Sequence, residues 1–554
     1  MRAADFETIV DTEQTRVWAW CIIRCEDEET EYGNSIETFM EYAKNNCDTY
    51  YFHNLKFDGA FILDYLFRFG YEWSGNRKLK EKEFSTLISD AGLWYSISIR
   101  FPDSNGGLPR KITIYDSLKL IPMPIADMPK TFSLDIEKLE LDYEGNREEG
   151  HELTGEEKAY IHNDTLILAR ALNFMKSNNM KKLTTASNAM ADFKTRTGKE
   201  NYKRMFPELS SIEDFDIRKS YKGGFTYLNP KYRGAKVGKG RVYDVNSMYP
   251  WAMRNCMLPW GKPYYFSGRY EENELYPLYV QCLTCEFKIK PGHIPSIQIK
   301  NNFLYSETEY LTKSEDETVL YLTSIDLKLF FDNYDVKVYE WNGGYMFMGR
   351  TDIFTEYIDY WYNEKQENKR NGNKGRVQIA KLMLNSLYGK FGGNPKGRSK
   401  IPYYSEEEQK VKFRLGAIED RTKFYVPIAS FITSYARDKI IRAAEQCGDN
   451  FIYADTDSLH VLGTDTPPID IDEYRLGAFK IEEEFDRAIF LRQKTYLEIF
   501  NGKMDVKCAG MPKNVKKQVT EDNFTYDAEF SGKLMPKVIP GGVVLKETTF
   551  KIKK

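Results

Sequence analysis

The feature that most constrains this chain is a set of carboxylates at the ends of short apolar segments that lie far apart in sequence. A predicted strand, Arg241–Tyr243, runs into Asp244, and the turn after Tyr453 carries Asp455 and Asp457. Phosphoryl transfer needs metal ions that bridge the phosphates and the attacking oxygen, and acids from separate strands can hold both ions. The sequence therefore predicts that the two segments meet in one pocket.

A helix between these two segments carries a polar face. The pattern predicts a long helix over residues 354–389, broken at an Asn-Gly-Asn sequence, in which Lys381, Asn385 and Tyr388 fall at i, i+4 and i+7. An ammonium there could neutralise triphosphate charge, and the tyrosine could stack near an incoming base. Taken alone, the helix would equally fit an amphipathic helix whose polar face meets water.

A second group of acids begins at the N-terminus. Asp5 and Glu7 are two residues apart on a predicted strand, so both carboxylates point to one face. Asp58 and Asp164 can add oxygens from other elements, and Tyr160 shares a helix face with Asp164. The D-x-E pair alone would fit surface acids on an edge strand. The three acidic elements together favour a second metal site.

The first ~180 residues mix strands and helices, which predicts one α/β domain. Strands are expected over Thr49–His53 and Lys111–Tyr115, and a helix over Gly155–Lys176. Asp116 directly follows the second of these strands and is interpreted as a turn residue, with a further acid of the N-terminal metal site as the weaker alternative. The sequence ends in a predicted hairpin, and a glycine-rich and charged stretch at 392–400 predicts a loop or small insertion.

Composition sets only loose limits. A chain of 554 residues has room for several domains, and its net charge of −3 argues mildly against a nucleic-acid enzyme, although a binding channel needs only local basic character. Cys282 and Cys285 lack a second pair at zinc-finger spacing and are interpreted as strand residues. No signal peptide or long apolar run is present, so a reduced, cytosolic setting without a membrane span is expected.

Eight short strings give the chain a family resemblance. DVNSMYP, KLMLNSLYG and YADTDS resemble the three polymerase motifs of family B DNA polymerases, and DFET, NLKFD and YIHND resemble their three exonuclease motifs. YKGGF and KTY resemble two motifs of the protein-primed branch of phages, the phi29-type replicative polymerases. The order is unbroken over about residues 1–550. Met248 stands where that family usually has leucine, a swap that conserves volume.

The resemblance implies two metal-dependent centres. The exonuclease ligands would be Asp5, Glu7, Asp58 and Asp164, with Tyr160 orienting the water and Lys138 supporting the scissile phosphate. The polymerase ligands would be Asp244 and Asp457, with Asp455 beside them. Each centre would hold two Mg²⁺ or Mn²⁺ ions.

It also implies substrate contacts. Single-stranded primer ends would be held by Thr8, His53, Asn54, Phe57, Ser117, Leu118 and Tyr143. Tyr249 would stack under the sugar and exclude ribonucleotides, while nucleotide and template would be bound by Lys381, Asn385, Tyr388 and Gly389. Tyr221, Gly223 and Gly224 would link the domains and grip template, and Lys494 and Tyr496 would hold the primer.

The implied fold is a multidomain α/β and α+β protein. It would join an RNase H-like 3′→5′ exonuclease domain to a right-hand polymerase with two terminal-protein-region insertions. The expected ranges are exonuclease 1–184, palm 185–255 and 420–512, first insertion 256–352, fingers 353–391, second insertion 392–419 and thumb 513–554. The residues of the second insertion are poorly patterned, so its shape is left open.

The implied partners are template and primer DNA, deoxynucleoside triphosphates, a terminal protein as primer and, optionally, a single-stranded DNA-binding protein. A monomer or a heterodimer with the terminal protein is expected in the cytoplasm of an infected bacterial host. One alternative is a nucleic-acid-primed family B polymerase that uses no terminal protein. Another is a non-catalytic DNA-binding replication factor, which would gain nothing from clustered carboxylates facing phosphates.

Overall fold

The computed structural model of the protein describes residues 1–9, 13–76, 78–102, 110–139, 147–298 and 310–554. Tyr143, expected to contact single-stranded DNA, lies outside the described residues. Within them, no helix is both long enough and apolar enough to cross a membrane.

The N-terminal part is built on one mixed sheet. Its strands are β1 Arg2–Thr8, β2 Val17–Arg24, β3 Thr30–Gly33, β4 Thr49–Phe52, β5 Glu72–Trp73, β6 Glu83–Ile88, β7 Trp94–Arg100 and β8 Lys111–Asp116, and its helices are α1 Ile36–Asn45, α2 Asp58–Arg68, α3 Met128–Phe132 and α4 Gly155–Ser177. The strand order is β3-β2-β1-β4-β8-β7-β6-β5, with β4 parallel to both β1 and β8. Helix α4 packs on β1 and β2, which places its acids beside those of β1.

The central part alternates helices with antiparallel strands. It contains α5 Thr185–Thr197, α6 Lys199–Met205, α7 Ser211–Arg218, β9 Thr226–Leu228, β10 Lys236–Val237, β11 Gly240–Val245, α8 Met248–Asn255, β12 Leu258–Phe266, β13 Leu278–Ile289, β14 Ile297–Gln298, β15 Tyr310–Leu311, β16 Thr318–Thr323, α9 Ser324–Asn333, β17 Tyr334–Arg350, α10 Thr355–Arg370 and α11 Lys374–Phe391. The predicted long helix is therefore two helices, interrupted at the predicted Asn-Gly-Asn break. Gly372 adopts a positive φ of 71° there.

The C-terminal part completes two sheets that begin in the central part and forms three two-stranded sheets of its own. It contains β18 Lys396–Gly397, β19 Lys400–Ser405, β20 Lys410–Leu415, β21 Glu419–Asp420, α12 Val426–Gln446, β22 Phe451–Asp455, β23 Ser458–Leu462, β24 Phe479–Phe485, β25 Arg487–Arg492, β26 Thr495–Phe500, β27 Lys503–Cys508, α13 Lys513–Lys516, β28 Glu529–Ile539 and β29 Gly542–Lys551. Short 3₁₀ turns occur at Ser117–Lys119, Ile125–Asp127, Pro230–Tyr232 and Gly448–Asn450. The stretch whose shape the sequence left open forms two nested strand pairs, β18 with β21 and β19 with β20.

Segments far apart in the chain form the central antiparallel sheet, whose strand order is β24-β11-β23-β22-β9. Helix α12 covers it and buries most of its own length, because apolar and small residues occupy nearly every turn. A second sheet, β10-β25-β26-β27, lies beside it, and β12-β17-β13-β16 forms a third. Cys282 and Cys285 lie buried in β13, which agrees with their interpretation as strand residues.

All three parts share one hydrophobic core, which runs from Ala3 in β1 to Ile432 in α12. The predicted C-terminal hairpin is confirmed as β28–β29 and is longer than the sequence indicated. Its tip docks on the N-terminal part, where the Thr15 N–H donates to the Pro540 carbonyl at 3.2 Å. The C-terminal hairpin therefore contacts the segment that leads into β2.

Candidate active sites

The first carboxylate group forms where β1, α2 and α4 meet. Asp5 and Glu7 lie on β1, Asp58 is the first residue of α2, and Asp164 lies on α4. The start of α4 is fixed by a capping box in which Thr154 and Glu157 bond each other's backbone N–H groups. Every sequence-predicted acid of this group is thus held by a regular element rather than a loop.

These acids share one low-dielectric environment. Burial and the neighbouring Asp164 carboxylate raise the pKa of Asp5 to about 7. Burial and the charges of Asp5 and Glu7 raise the pKa of Asp58 well above its ordinary value. Like charges that are taken out of water disfavour ionisation until a cation compensates them, so the group attracts positive charge.

Lys138 supplies one such charge. Its ammonium forms an ion pair with Asp164 Oδ2 and lies 5.9 Å from the centre of the Tyr160 ring. Tyr160 and Asp164, four residues apart, are both buried on α4. The structure thus brings together the tyrosine, the lysine and the carboxylates that the sequence predicted.

The predicted single-strand contacts form a network behind these acids. His53 bonds Ser117 Oγ through Nδ1 and the Met123 carbonyl through Nε2, each at 2.9 Å. Ser117 is fully buried and donates to the Phe52 carbonyl. Ser117 therefore orients His53 from the interior instead of presenting its own hydroxyl to solvent.

Four other predicted contacts lie at the rim of this network. Thr8, Phe57 and Leu118 are half-buried and Asn54 is exposed, so each retains surface for a ligand. Asp116, interpreted as a turn residue, is instead the last residue of β8; it caps the 3₁₀ turn that follows and accepts from the Asn54 and Leu118 N–H groups at 3.0 Å.

The second carboxylate group forms on the central sheet. Asp244 of β11 stands opposite Ser458 of β23, and the Val245 N–H donates to the Asp457 carbonyl at 2.8 Å. Burial and the Asp457 carboxylate raise the pKa of Asp244 to about 7. The meeting of these distant segments, which the sequence predicted, is a consequence of strand pairing.

Asp455 is arranged differently from its two neighbours. Its Oδ1 accepts from Thr226 Oγ1 at 3.1 Å, and its Oδ2 accepts from Tyr453 Oη at 3.3 Å. Lys494 Nζ lies 3.6 Å from the same carboxylate. The Asp455 carboxylate thus contacts Thr226, Tyr453 and Lys494. The Asp244 and Asp457 carboxylates instead face a cavity of about 350 Å³.

The polar face of the predicted helix lines the same cavity. Lys381, Asn385 and Tyr388 of α11 line it, together with Tyr249 at the start of α8. The centroids of the Tyr249 and Tyr388 rings lie 4.1 Å apart, so the two rings contact each other directly. Gly389, the remaining predicted residue of this face, is exposed on α11.

Two lysines of this cavity were missed by sequence reasoning. Lys480 of β24 pairs with Asp244 at 3.4 Å, and Lys365 of α10 donates to Ser247 Oγ at 3.2 Å. Burial and the nearby Lys381 and Lys480 lower the pKa of Lys365 to about 8. Neither lysine carries a local sequence signal, because only the pairing of β24 with β11 and the docking of α10 bring them here.

The predicted linker motif around Tyr221 and Gly224 packs on this site. A Cβ on Gly224 would lie 2.8 Å from Thr456 Cγ2 and 3.1 Å from Tyr249 Oη, whereas one on Gly223 would meet nothing within 4 Å. The Tyr221 ring fills the space beside Gly392, after α11. The motif therefore touches the catalytic hairpin and the end of the predicted helix.

Arg437 is a third residue that the sequence analysis missed. Buried on α12, it donates to the Lys222 and Gly223 carbonyls at 3.1 and 2.8 Å and pairs with Asp326. Its guanidinium therefore holds the backbone of the linker motif at Lys222 and Gly223. The sequence gives no signal for it, because Asp438, Lys439 and Arg442 are charged neighbours on the same helix.

The remaining predicted pair, Lys494 and Tyr496, follows the catalytic sheet. The Lys494 N–H donates to Tyr453 Oη at 2.9 Å, and the rings of Tyr453 and Tyr496 lie 5.2 Å apart. The segment is thereby fixed to the strand that ends at Asp455.

The donor set of both groups fits divalent cations. Hard ions such as Mg²⁺ prefer carboxylate oxygens, and Asp164 Oδ1 is a buried oxygen with no hydrogen-bond donor among the described residues. As the side chains stand, no three His, Cys, Asp or Glu side chains of those residues converge on a common ion position. Lysine ammonium groups instead neutralise Asp164 and Asp244.

Comparison with known proteins agrees with this geometry. The family described as DNA polymerase type B, organellar and viral, matches residues 40–155 and 143–476. The chain is 41% identical to the DNA polymerases of Bacillus phages B103 and phi29, with 100% of this chain and 99% of each relative covered. The chain belongs to the type B DNA polymerases.

A solved structure gives the same result for the whole fold. This type B polymerase matches phi29 DNA polymerase complexed with primer-template DNA and incoming nucleotide substrates at a TM-score of 0.94 and 40% identity. The match covers 100% of this chain and 99% of that one. The protein is therefore a DNA-directed DNA polymerase of the phi29 type, with the mixed α/β, multidomain architecture that the sequence indicated.

Proposed function

We propose that this polymerase replicates a linear phage genome by protein-primed initiation and strand displacement, and that it proofreads with a 3′→5′ exonuclease centre. The observation that carries the proposal is the presence in one chain of two separate carboxylate groups, one on β1, α2 and α4 and one on the central sheet. The names of the relatives support DNA synthesis, and the solved neighbour supports DNA and nucleotide substrates.

In the polymerase centre, Asp244 and Asp457 would hold two Mg²⁺ or Mn²⁺ ions, which activate the primer 3′ oxygen and neutralise the phosphates. Lys381 and Lys365 would bind the triphosphate, and Asn385 and Gly389 would contact nucleotide and template. Asp455 would keep Tyr453 and Lys494 in position.

The substrates would be selected and held by residues around this centre. Tyr249 would exclude a 2′ hydroxyl, while Tyr388 would stack on the incoming base. Lys494 and Tyr496 would grip the primer, as the sequence analysis expected.

In the exonuclease centre, Asp5, Glu7, Asp58 and Asp164 would hold a second pair of ions. Tyr160 would orient the attacking water, and Lys138 would move from Asp164 to the scissile phosphate. The unpaired primer end would lie along Thr8, Asn54, Phe57 and Leu118, with His53 oriented by Ser117. Tyr143 would contact the same single-stranded DNA, a role that the family resemblance implies.

Each range of the chain would form the domain that the family resemblance implies. Residues 1–184 would form the exonuclease domain, 185–255 and 420–512 the palm, 353–391 the fingers and 513–554 the thumb. The two insertions, 256–352 and 392–419, would serve terminal-protein binding and strand displacement. Tyr221, Gly223 and Gly224 would pass template between the domains.

The priming partner separates this proposal from its alternative. A terminal protein would offer a hydroxyl in place of the primer 3′ oxygen, so the first nucleotide would become bonded to protein. A single-stranded DNA-binding protein is proposed as an accessory partner, and the bacterial cytoplasm as the setting. A non-catalytic replication factor is not retained, because the chain belongs to a polymerase family.

One experiment tests the priming mode. The full-length protein is incubated with labelled dATP, Mg²⁺ and candidate terminal proteins from the genome that encodes it. A covalent protein–nucleotide adduct is expected with one candidate and is expected to be lost in the Asp457→Ala variant. Extension of an oligonucleotide primer without any adduct would favour the nucleic-acid-primed alternative.

A further inference from the structure

Two buried side chains join the central sheet to the sheet beside it. His460 lies on β23 of the central sheet, Glu498 lies on β26 of the neighbouring sheet, and they are 2% and 3% exposed. The Nδ1 atom of His460 lies 2.7 Å from Oε1 of Glu498. Because a carboxylate only accepts hydrogen bonds, Nδ1 is the donor. This bond links the catalytic hairpin to the strand that carries Tyr496.

Each member of this pair depends on the other. Asp505 of β27 stands opposite Glu498, so a like charge faces the carboxylate across the sheet. Asp505 is itself paired with Lys507 at 2.9 Å. Among the residues that the structure describes, His460 is the one basic side chain within 4.0 Å of the Glu498 carboxylate. Removal of His460 would therefore leave a buried carboxylate without compensation, which is strongly destabilising.

The imidazole of His460 also packs among aromatic rings that border the catalytic hairpin. Its centroid lies 5.2 Å from the ring centroids of Tyr453 and Tyr496 and 5.4 Å from that of Phe490. Tyr496 and Glu498 are two residues apart on β26, so their side chains share one face of the strand. The bond from His460 to Glu498 therefore fixes the imidazole against which both tyrosine rings pack.

Tyr453 connects this arrangement to the turn between β25 and β26. Its hydroxyl donates to Asp455 Oδ2 at 3.3 Å and accepts from the Lys494 N–H at 2.9 Å. Lys494 has a positive φ of 55°, a left-handed conformation that is unfavourable for a residue with a Cβ atom. Such a conformation persists only where the surrounding structure holds it. The turn therefore depends on the bond to Tyr453 and on what positions that ring.

We propose that the His460–Glu498 pair is a positioning element for the primer end: it fixes the rings of Tyr453 and Tyr496, and through them it holds the turn at Lys494 against the catalytic hairpin. The inference rests on the proposed role of Lys494 and Tyr496 in gripping the primer. Neither His460 nor Glu498 contacts DNA in this role, because both side chains are buried. Loss of the pair would weaken the hold on the primer and leave the nucleotide cavity unchanged.

The test measures DNA affinity and stability in the same variants. Full-length protein that carries Asp5→Ala and Glu7→Ala, which stop degradation, is the parent, and the Kd for primer–template DNA and the Tm are measured. His460→Leu is expected to lower the Tm, because it leaves Glu498 without its partner. Addition of Glu498→Leu removes both polar groups and is expected to restore most of that stability. The Kd of this double variant is nevertheless expected to stay raised by roughly three- to tenfold, the loss expected for one hydrogen bond.

Two further variants separate positioning from stability. Glu498→Gln keeps an oxygen that accepts from His460 Nδ1, so its Kd is expected to match that of the parent. The matched control, Val506→Ala, removes packing on the opposite face of the same sheet and is expected to lower the Tm without raising the Kd. The KM for nucleoside triphosphate at saturating DNA is expected to stay unchanged in every variant, since none of them alters the nucleotide cavity.

Three results would overturn the proposal. They are a double variant that binds primer–template DNA as tightly as the parent, an equal loss of affinity in the glutamine and double variants, and a rise in the nucleotide KM that matches the rise in Kd. Unchanged DNA affinity in Lys494→Ala would instead overturn the proposed grip of the turn on the primer, and this inference with it. Failure of the parent to extend any primer would overturn the proposed function itself.

Discussion

The backbone N–H of Val245 donates to the carbonyl oxygen of Asp457 at 2.8 Å. This bond joins β11, the strand that carries Asp244, to the hairpin that carries Asp457, so main-chain pairing sets the spacing of the two carboxylates. Electrostatic centres of this kind depend on groups that are held in place before the substrate arrives. Substitutions in this centre and in its counterpart near the N-terminus should therefore affect separate activities.

Asp457→Ala should abolish primer extension and leave the degradation of single strands intact. A lost ligand removes metal-ion stabilisation worth several kcal/mol in the transition state. Gel assays of extension and degradation on the same preparation check both activities. Asp465→Ala, which removes an exposed acid of the same region, should leave both unchanged.

Asp5→Ala combined with Glu7→Ala should have the reciprocal effect, stopping degradation while extension continues. The two acids lie on β1, remote in the chain from the sheet that holds Asp244. Their charges raise the pKa of Asp58, so the three carboxyl groups belong to one centre. The same two assays apply. Loss of extension with retained degradation would mean that the two centres have been assigned the wrong way round.

Tyr249→Val should admit ribonucleotides. The Tyr249 ring stands 4.1 Å from Tyr388 and borders the cavity, so removing it opens space beside the sugar. The measurement is the ratio of kcat/KM for a ribonucleotide and the matching deoxyribonucleotide. Tyr249→Phe, which keeps the ring, should retain discrimination, and unchanged selectivity in the valine variant would remove the steric role.

Gly224→Ala should destabilise the packing beside the polymerase centre, whereas Gly223→Ala should leave the packing of the protein unchanged. The added methyl at Gly224 would stand 2.8 Å from Thr456 Cγ2, next to the catalytic hairpin, but at Gly223 it enters open space. Overpacking of this kind costs about 1–3 kcal/mol. Thermal unfolding and kcat for extension, measured for both variants, separate a local effect from a loss of fold; equal behaviour of the two would contradict the packing.

Nucleotide use should decline as pH rises through about 8. Burial and the charges of Lys381, Lys480 and Lys369 lower the pKa of Lys365 to about 8, and Asp244 opposes them. Below that pH the ammonium is present and attracts triphosphate, and above it the attraction is lost. The profile of kcat/KM for nucleotide, which reports the free enzyme, should therefore fall on its alkaline side.

Lys365→Arg supplies the control for this pH dependence. Arginine stays protonated throughout the range, so its profile should remain flat where the wild type declines. Parallel profiles for the two proteins would show that another group controls the alkaline limb.

Local sequence patterns predicted much of the fold, because they report on local energetics. The acid-bearing strand at Asp5, the helix that carries Tyr160 and Asp164, and the break between α10 and α11 all follow from periodicity and from turn-forming residues. The residues around 394–419 could not be placed in this way, because their strands are short and are defined only by pairing with each other.

The sequence by itself determined which carboxylates are present, the faces on which they lie within their own elements, and the family to which the chain belongs. Only the tertiary structure decided that Lys480 stands beside Asp244, that Arg437 holds the Gly223 backbone, and that Tyr362 reaches Tyr474. The physical reason is separation along the chain. Each of these contacts joins residues whose spacing carries no local period, so it exists only once strand pairing and helix docking have brought distant segments together.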